Sequence, residues 1–240
     1  MKFVADLGKG ILGTADSPEL WSDIVGRYPD EMLTDPDAKF LNLACGHLTE
    51  ACLLVKRMMA LGVSVQEANS KIYVLDKYST FTNAAKMQGY QNVIQADFTE
   101  WETDMKFDGI LTNPPYQDQG GHNTLYPKFY NKAVSLLKED GIIAMICPPA
   151  ILPGIWGLKN VDSIKMTDPI EIVYVDVSND VKEYFPGVGS DFCWFMSKNA
   201  PSNNDSVEVK VDGGVITASG PTFPRNVTDV STAQSILNKA

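Results

Sequence analysis

Basic residues are scarce in this sequence: 20 lysines and arginines stand against 30 aspartates and glutamates, a net charge of −10. Unspecific grip on nucleic acid needs clustered Lys and Arg to neutralise phosphates, so that role is disfavoured, whereas a local basic groove is not. Lys128, Lys132 and Lys138 are the candidates for such a groove. Histidine is rarer still, and His47 and His122 are the only acid–base candidates of that type. The four cysteines, Cys45, Cys52, Cys147 and Cys193, show neither close pairing nor metal-ligand spacing. A disulfide framework and a metal site are therefore not expected, and the setting is read as reducing and cytoplasmic, with no charged-then-apolar leader after Met1. No apolar run approaches the roughly 20 residues that span a bilayer. The longest, around Ile142–Ile146, is strand-sized, so no membrane is expected.

What the chain does contain is an alternation of apolar runs and helical patterns. Runs at Lys39–Leu43, Lys71–Leu75, Asn92–Gln95, Phe107–Leu111, Gly141–Ile146, Ile170–Val175 and Phe192–Met196 read as strands. Helical patterns at Thr49–Leu61, Thr80–Gln88 and Tyr126–Leu137 fall between them. Apolar strands separated by helices imply a mostly parallel sheet covered on both faces, a doubly wound α/β domain of about seven strands. Ahead of it, Ser17 and Pro18 mark the N-cap and first position of a helix to Arg27. Residues 1–37 are read as a helical segment completing the site, 38–198 as the catalytic domain, and 199–240 as a polar appendage or the start of a recognition region. That tail carries Pro201, Gly213-Gly214, Gly220-Pro221 and Pro224, and one hairpin is expected in it, Val207–Val211 with Val215–Thr217.

In such sheets ligands sit outside the carboxyl ends of the strands, so the polar residues there are the place to look. The first strand ends in Asn42-Leu43-Ala44-Cys45-Gly46-His47-Leu48, where small residues let backbone approach a ligand before a helix begins. The second ends in Asp76-Lys77, an acid placed to accept two ribose hydroxyls. The third ends in Asp97-Phe98, a carboxylate suited to an adenine amino group and a ring suited to its face. The fourth delivers Asn113-Pro114-Pro115-Tyr116. Two prolines fix φ and remove two donors, leaving carbonyls free to point at something. An amide oxygen, a free carbonyl and an aromatic ring together suit a planar group bearing an NH₂.

These residues resemble the amino-methyltransferases that depend on S-adenosylmethionine, whose catalytic signature is Asn or Asp, Pro, Pro, aromatic at the end of the fourth strand. The order of motifs, and Ser17-Pro18-Glu19-Leu20 ahead of them, is similar to gamma-ordered N6-adenine DNA methyltransferases of phage and restriction-modification type. Leu125-Tyr-Pro-Lys-Phe129 and Gly141 to Pro148-Pro149 are similar to the same class. The resemblance implies a Rossmann-like methyltransferase fold and direct methyl transfer to a flipped adenine. Catalysis then falls to Asn113, Pro114, Pro115 and Tyr116. The cofactor falls to Ser17, Asn42, Ala44, Cys45, Gly46, Asp76, Lys77, Asp97, Phe98 and Asn113. The implied partners are double-stranded DNA and a separate recognition subunit. In the family loop Leu43 would be proline and Leu48 glycine, and Ser17 would be threonine. A protein glutamine amide, an RNA adenine and a non-catalytic or partner-dependent subunit are the alternatives. Phe129 and Pro148 are read as core or pocket wall, and Thr14 stands near a predicted glycine turn.

Overall fold

The computed structural model describes residues 17–117, 124–148, 151, 170–178, 180–185, 192–200, 206–212 and 214–219. Thr14, His122, Pro149, Pro201, Gly213, Gly220, Pro221 and Pro224 lie outside them.

Helix α1 (Pro18–Gly26) begins as its cap residues dictate, with the Ser17 hydroxyl accepting from the Leu20 amide at 3.2 Å and proline at the first position. A short α2 (Asp30–Thr34) leads to β1 (Phe40–Leu43) and α3 (Thr49–Ala60). Then come α4 (Val65–Lys71), β2 (Ile72–Asp76), α5 (Ser79–Met87), β3 (Asn92–Gln95) and β4 (Phe107–Thr112). The second half holds α6 (Tyr126–Ser135), β5 (Leu137–Cys147), β6 (Ile170–Asp176), α7 (Asp180–Glu183) and β7 (Cys193–Asn199), with β8 (Ser206–Val211) and β9 (Gly214–Ser219) closing it.

The strands form one nine-stranded sheet in the order β3-β2-β1-β4-β5-β7-β6-β8-β9. β1 to β5 pair in parallel, while β7 runs antiparallel between β5 and β6. The seven strands expected are β1 to β7; the hairpin β8–β9 adds two, with β8 parallel to β6. From β1 the chain steps outward to β2 and β3, then returns to place β4 on the other side of β1. That reversal opens a crevice at the carboxyl ends of β1 and β4, which is where a doubly wound sheet binds its ligand.

Side-chain alternation divides the core into two layers. Phe40 joins Trp21, Ile24, Leu54 and Met58 on one face, while Leu41 and Leu43 join Phe129, Tyr130 and Met145 on the other. Tyr28 crosses behind Phe40 and donates its hydroxyl to the Ile110 carbonyl at 2.8 Å. Gly109 is needed at that crossing: a Cβ there would sit 2.5 Å from the Phe40 ring.

Two departures from the expected elements have local causes. Lys71 is the last residue of α4 rather than the first of β2, because Ser64 accepts from the Glu67 amide at 3.2 Å and starts a helix. Ser-x-x-Glu is a capping signal that the apolar run beside it obscures. Likewise β5 starts at Leu137 and is bulged before Gly141, with Asp140 left-handed at φ 61°. Asn199 donates to the Lys138 carbonyl at 2.9 Å and holds the bulge in place.

Candidate active site

On one side of the crevice the turn after β1 is built from left-handed residues. Ala44, Gly46 and Leu48 have φ of 54°, 45° and 69°, so the chain coils tightly before α3. The Cys45 amide donates to the Leu75 carbonyl at 3.2 Å and the Leu48 amide to Cys45 at 2.8 Å. Leu48 adopts a left-handed conformation while burying its whole side chain. Among the described residues nothing lies within 4 Å of where a Cβ of Gly46 would be, which leaves open space beside the backbone.

Asp76 ties this turn to β2. It accepts from the Gly46 amide at 3.2 Å and the Tyr78 amide at 2.8 Å. Burial raises its pKa above the ordinary carboxylate value, more than those amides and Lys77 lower it. Two hydrogen bonds leave a carboxylate with further acceptor capacity. Asp97 lies next along the sheet edge, where Thr99 donates to it from its hydroxyl at 2.7 Å and its amide at 3.0 Å. The Thr99 hydroxyl bond chiefly pulls the Asp97 pKa down, with Lys77 adding to the effect. The Lys77 ammonium lies 3.6 Å from Asp97 and 5.4 Å from the centre of the Tyr78 ring.

Asn42 is 1 % exposed, and both its amide atoms lack a partner among the described residues. It lies between Val74 and Leu111 in register, one strand residue short of the turn. A buried amide without partners is costly unless something satisfies it. An orphaned amide, an open backbone turn and an acid with spare lone pairs fit a polar ligand with amino and hydroxyl groups.

Across the crevice, Asn113 follows β4 and is buried. Pro114 is buried and Pro115 exposed. Tyr116 turns back so that its hydroxyl donates to Asn113 Oδ1 at 2.8 Å. Its ring lies 5.7 Å from Phe192 and 6.2 Å, edge-on, from Tyr126. Below it, Cys147 and Cys193 face each other with sulfurs 3.9 Å apart. Burial, reinforced by these thiols, holds the Tyr116 phenol protonated far above the usual range. Gln117 and Thr124 pair as an isolated antiparallel bridge.

The remaining expected residues have contacts of their own. Phe98 is buried against Phe129 and Trp101, at ring distances of 5.1 and 6.4 Å. The Ser17 hydroxyl is engaged at the α1 cap, and His47 is exposed with its ring edge-on to Phe81. Lys138 is paired with Asp108 at 2.8 Å and Lys132 with Glu102 at 3.2 Å, whereas Lys128 is exposed. Among the described residues no cluster of His, Cys, Asp or Glu is arranged to hold a metal, and no helix is long and apolar enough to cross a membrane. Phe192 is the residue that sequence reading passed over. Its signal is topological: the residue before an antiparallel strand lies at the edge where its parallel neighbours end, which a linear motif search does not register.

The family model of the Eco57I restriction-modification methylase matches residues 47–181, more than half of the chain. The chain belongs to that family. No curated protein matches the sequence. Among solved structures, the M protein of the type I restriction enzyme EcoKI is similar, with a TM-score of 0.60 and 14 % identity over 82 % of this chain. A type I restriction-modification methyltransferase subunit from Streptococcus thermophilus follows, at 0.54 and 15 % over 93 %. The type ISP enzyme LlaGI, solved with a DNA substrate mimic, gives 0.57 and 14 % over 89 %. These likenesses establish a Rossmann-like methyltransferase fold. The chain spans 47 %, 51 % and 29 % of those three proteins. The family match starts at His47, so it takes in Asp76, Asp97 and the Asn113–Tyr116 segment but begins after Asn42.

Proposed function

We propose that this member of the restriction-modification methylase family transfers a methyl group from S-adenosylmethionine to the N6 amino group of adenine in DNA. The observation that carries this reading is Asn113-Pro114-Pro115-Tyr116 at the end of β4, across the switch-point crevice from the Asn42–Leu48 turn and Asp76. S-adenosylmethionine supplies, when bound, a methyl on a positive sulfur that is already a strong electrophile. The chain's residues hold it: Asp76 accepts ribose hydroxyls, Asp97 accepts from the adenine amino group, and the Asn42 amide and Gly46 backbone meet the polar end. Lys77 moderates the charge of both acids.

The adenine amino nitrogen is a poor nucleophile because its lone pair is delocalised into the ring. Asn113 Oδ1 and the Pro114 carbonyl accept its two hydrogens, localising the lone pair as positive charge develops on nitrogen. Such acceptors contribute most in the transition state. The N–C bond forms as the S–C bond breaks, the sulfur keeps the electron pair, and one N–H proton leaves to solvent. A base inside a duplex cannot reach the strand ends, so the nucleotide turns out and Tyr116 replaces part of the lost stacking. With a net charge of −10, sequence-specific grip on DNA comes from a recognition surface beyond the crevice, in this chain or a partner.

Incubation with labelled S-adenosylmethionine and unmethylated double-stranded DNA, RNA or protein extract tests the reading. Label recovered from DNA as N6-methyladenine supports it. Label confined to RNA, or to glutamine in protein, overturns it in favour of that polymer.

A further inference from the structure

An adenine in the crevice brings more than its amino group: N1 on one side of that group and N7 on the other accept hydrogen bonds. Asn113 Oδ1 and the Pro114 carbonyl are acceptors and cannot meet them, and the Tyr116 hydroxyl is already donated to Asn113. Beside Tyr116, however, stands a donor with nothing to donate to. Tyr126 is only 5 % exposed, yet its hydroxyl has no hydrogen-bond partner among the described residues. Buried tyrosines ordinarily find one. Here Tyr28 bonds the Ile110 carbonyl, Tyr90 the Cys52 sulfur and Tyr130 the Ser197 hydroxyl. Tyr174 is a second exception, but it lies in the other layer of the core, beneath the Arg27 guanidinium. We propose that the Tyr126 hydroxyl reads the target base, donating a hydrogen bond to N1 or N7 beside the reacting amino group. The inference deepens the methyltransferase reading above and rests on it.

Three features place that donor. The Tyr126 ring is perpendicular to the Tyr116 ring at 6.2 Å, so a base laid parallel to Tyr116 meets Tyr126 along its edge, where ring nitrogens lie. The two segments are tied together as well: the Leu125 amide donates to the Tyr116 carbonyl at 3.0 Å, and Tyr126 opens α6 with Pro127 fixing the next φ. Finally, both phenols face the same thiols. Burial, then Cys147 and Cys193, push the Tyr126 pKa up to about 12, and those two cysteines also act on Tyr116. The Tyr126 hydroxyl therefore keeps its hydrogen at neutral pH and lies toward the paired ends of β5 and β7. A buried donor left without a partner is costly, and a site that holds one for its substrate rejects an analogue lacking the matching acceptor.

The test crosses the protein hydroxyl with the base nitrogen. Methylation kinetics are measured for wild type and Tyr126→Phe, which keeps the ring, on duplex DNA whose target carries adenine, 1-deazaadenine or 7-deazaadenine. On adenine, kcat/KM is expected to fall about tenfold in Tyr126→Phe, the order of one hydrogen bond. On the analogue that lacks the bonded nitrogen, wild type and Tyr126→Phe are expected to agree within about twofold. A merely structural role for the hydroxyl would give the same loss on all three bases, and that result overturns the inference. So does a Tyr126→Phe as active as wild type on adenine. Should Tyr126→Phe fail to fold, the analogues decide on wild type alone, and equal kcat/KM on all three overturns the inference. Wild type that methylates no DNA defeats the functional reading itself, whereas active wild type with an unaffected Tyr126→Phe defeats this inference alone.

Discussion

The two walls of the crevice are held by different forces. The turn after β1 is a backbone construction: left-handed residues at 44, 46 and 48 coil it, and main-chain amides of Gly46 and Tyr78 dock on Asp76. The segment after β4 is a side-chain construction: Tyr116 donates to Asn113 and packs on Phe192 and Tyr126. Backbone contacts survive most side-chain changes, whereas side-chain contacts do not. The first wall therefore suits a cofactor common to a whole class, and the second suits chemistry tuned residue by residue.

The largest expected effect comes from breaking the second wall. On the proposed reading Asn113→Ala removes an acceptor for the reacting nitrogen, and turnover should fall by about a hundredfold or more in a methyl-transfer assay. Next is the acid that joins the two sides of the first wall. Asp76→Ala should weaken S-adenosylmethionine binding by about tenfold or more in calorimetry, because it loses a charged acceptor and leaves two backbone amides to reorganise.

A smaller effect follows from Leu48. Replacing it by glycine relieves about 1–2 kcal/mol of left-handed strain, but it deletes a fully buried side chain, and emptying a leucine site costs about 2.7–5 kcal/mol. Leu48→Gly should therefore be less stable by about 1–4 kcal/mol in urea unfolding, even though glycine is what the turn geometry favours.

The smallest effect sharpens the contrast within the first wall. By carboxyl NMR, Asp76 should titrate above 3.8 and Asp97 below it. The signs for stability are opposite. Asp97, with its folded pKa depressed, contributes stability that is present above its unfolded pKa and lost as pH falls through the lowered value. Asp76, with its folded pKa raised, contributes stability that is present below 3.8 and lost as pH rises through the raised value.

The fold was largely legible because apolar runs, turn residues and strand-end polars agreed with one another. Asn92–Gln95 is a strand with those bounds, Ser17 and Pro18 start α1, and the Val207–Val211 hairpin forms. Elements that needed local rather than periodic reading were missed: α4 hidden beside an apolar run, and the bulge at Asp140. At the site, chemistry could be read by residue type but contacts could not. Nothing in the letters says that Phe98 is packed into the core, or that Tyr116 folds back onto Asn113. Those outcomes depend on which face each residue meets, and that is decided by tertiary packing. The lysines make the same point, since Lys132 and Lys138 look free in sequence and are paired in the fold.

The most direct test of the division between the two walls is calorimetric titration of S-adenosylmethionine into wild type, Asn113→Ala and Asp76→Ala. The expected result is binding by Asn113→Ala within about threefold of wild type and a marked loss in Asp76→Ala alone. Equal loss of binding in both variants would contradict the account, because catalysis and cofactor grip would then not be separated across the crevice.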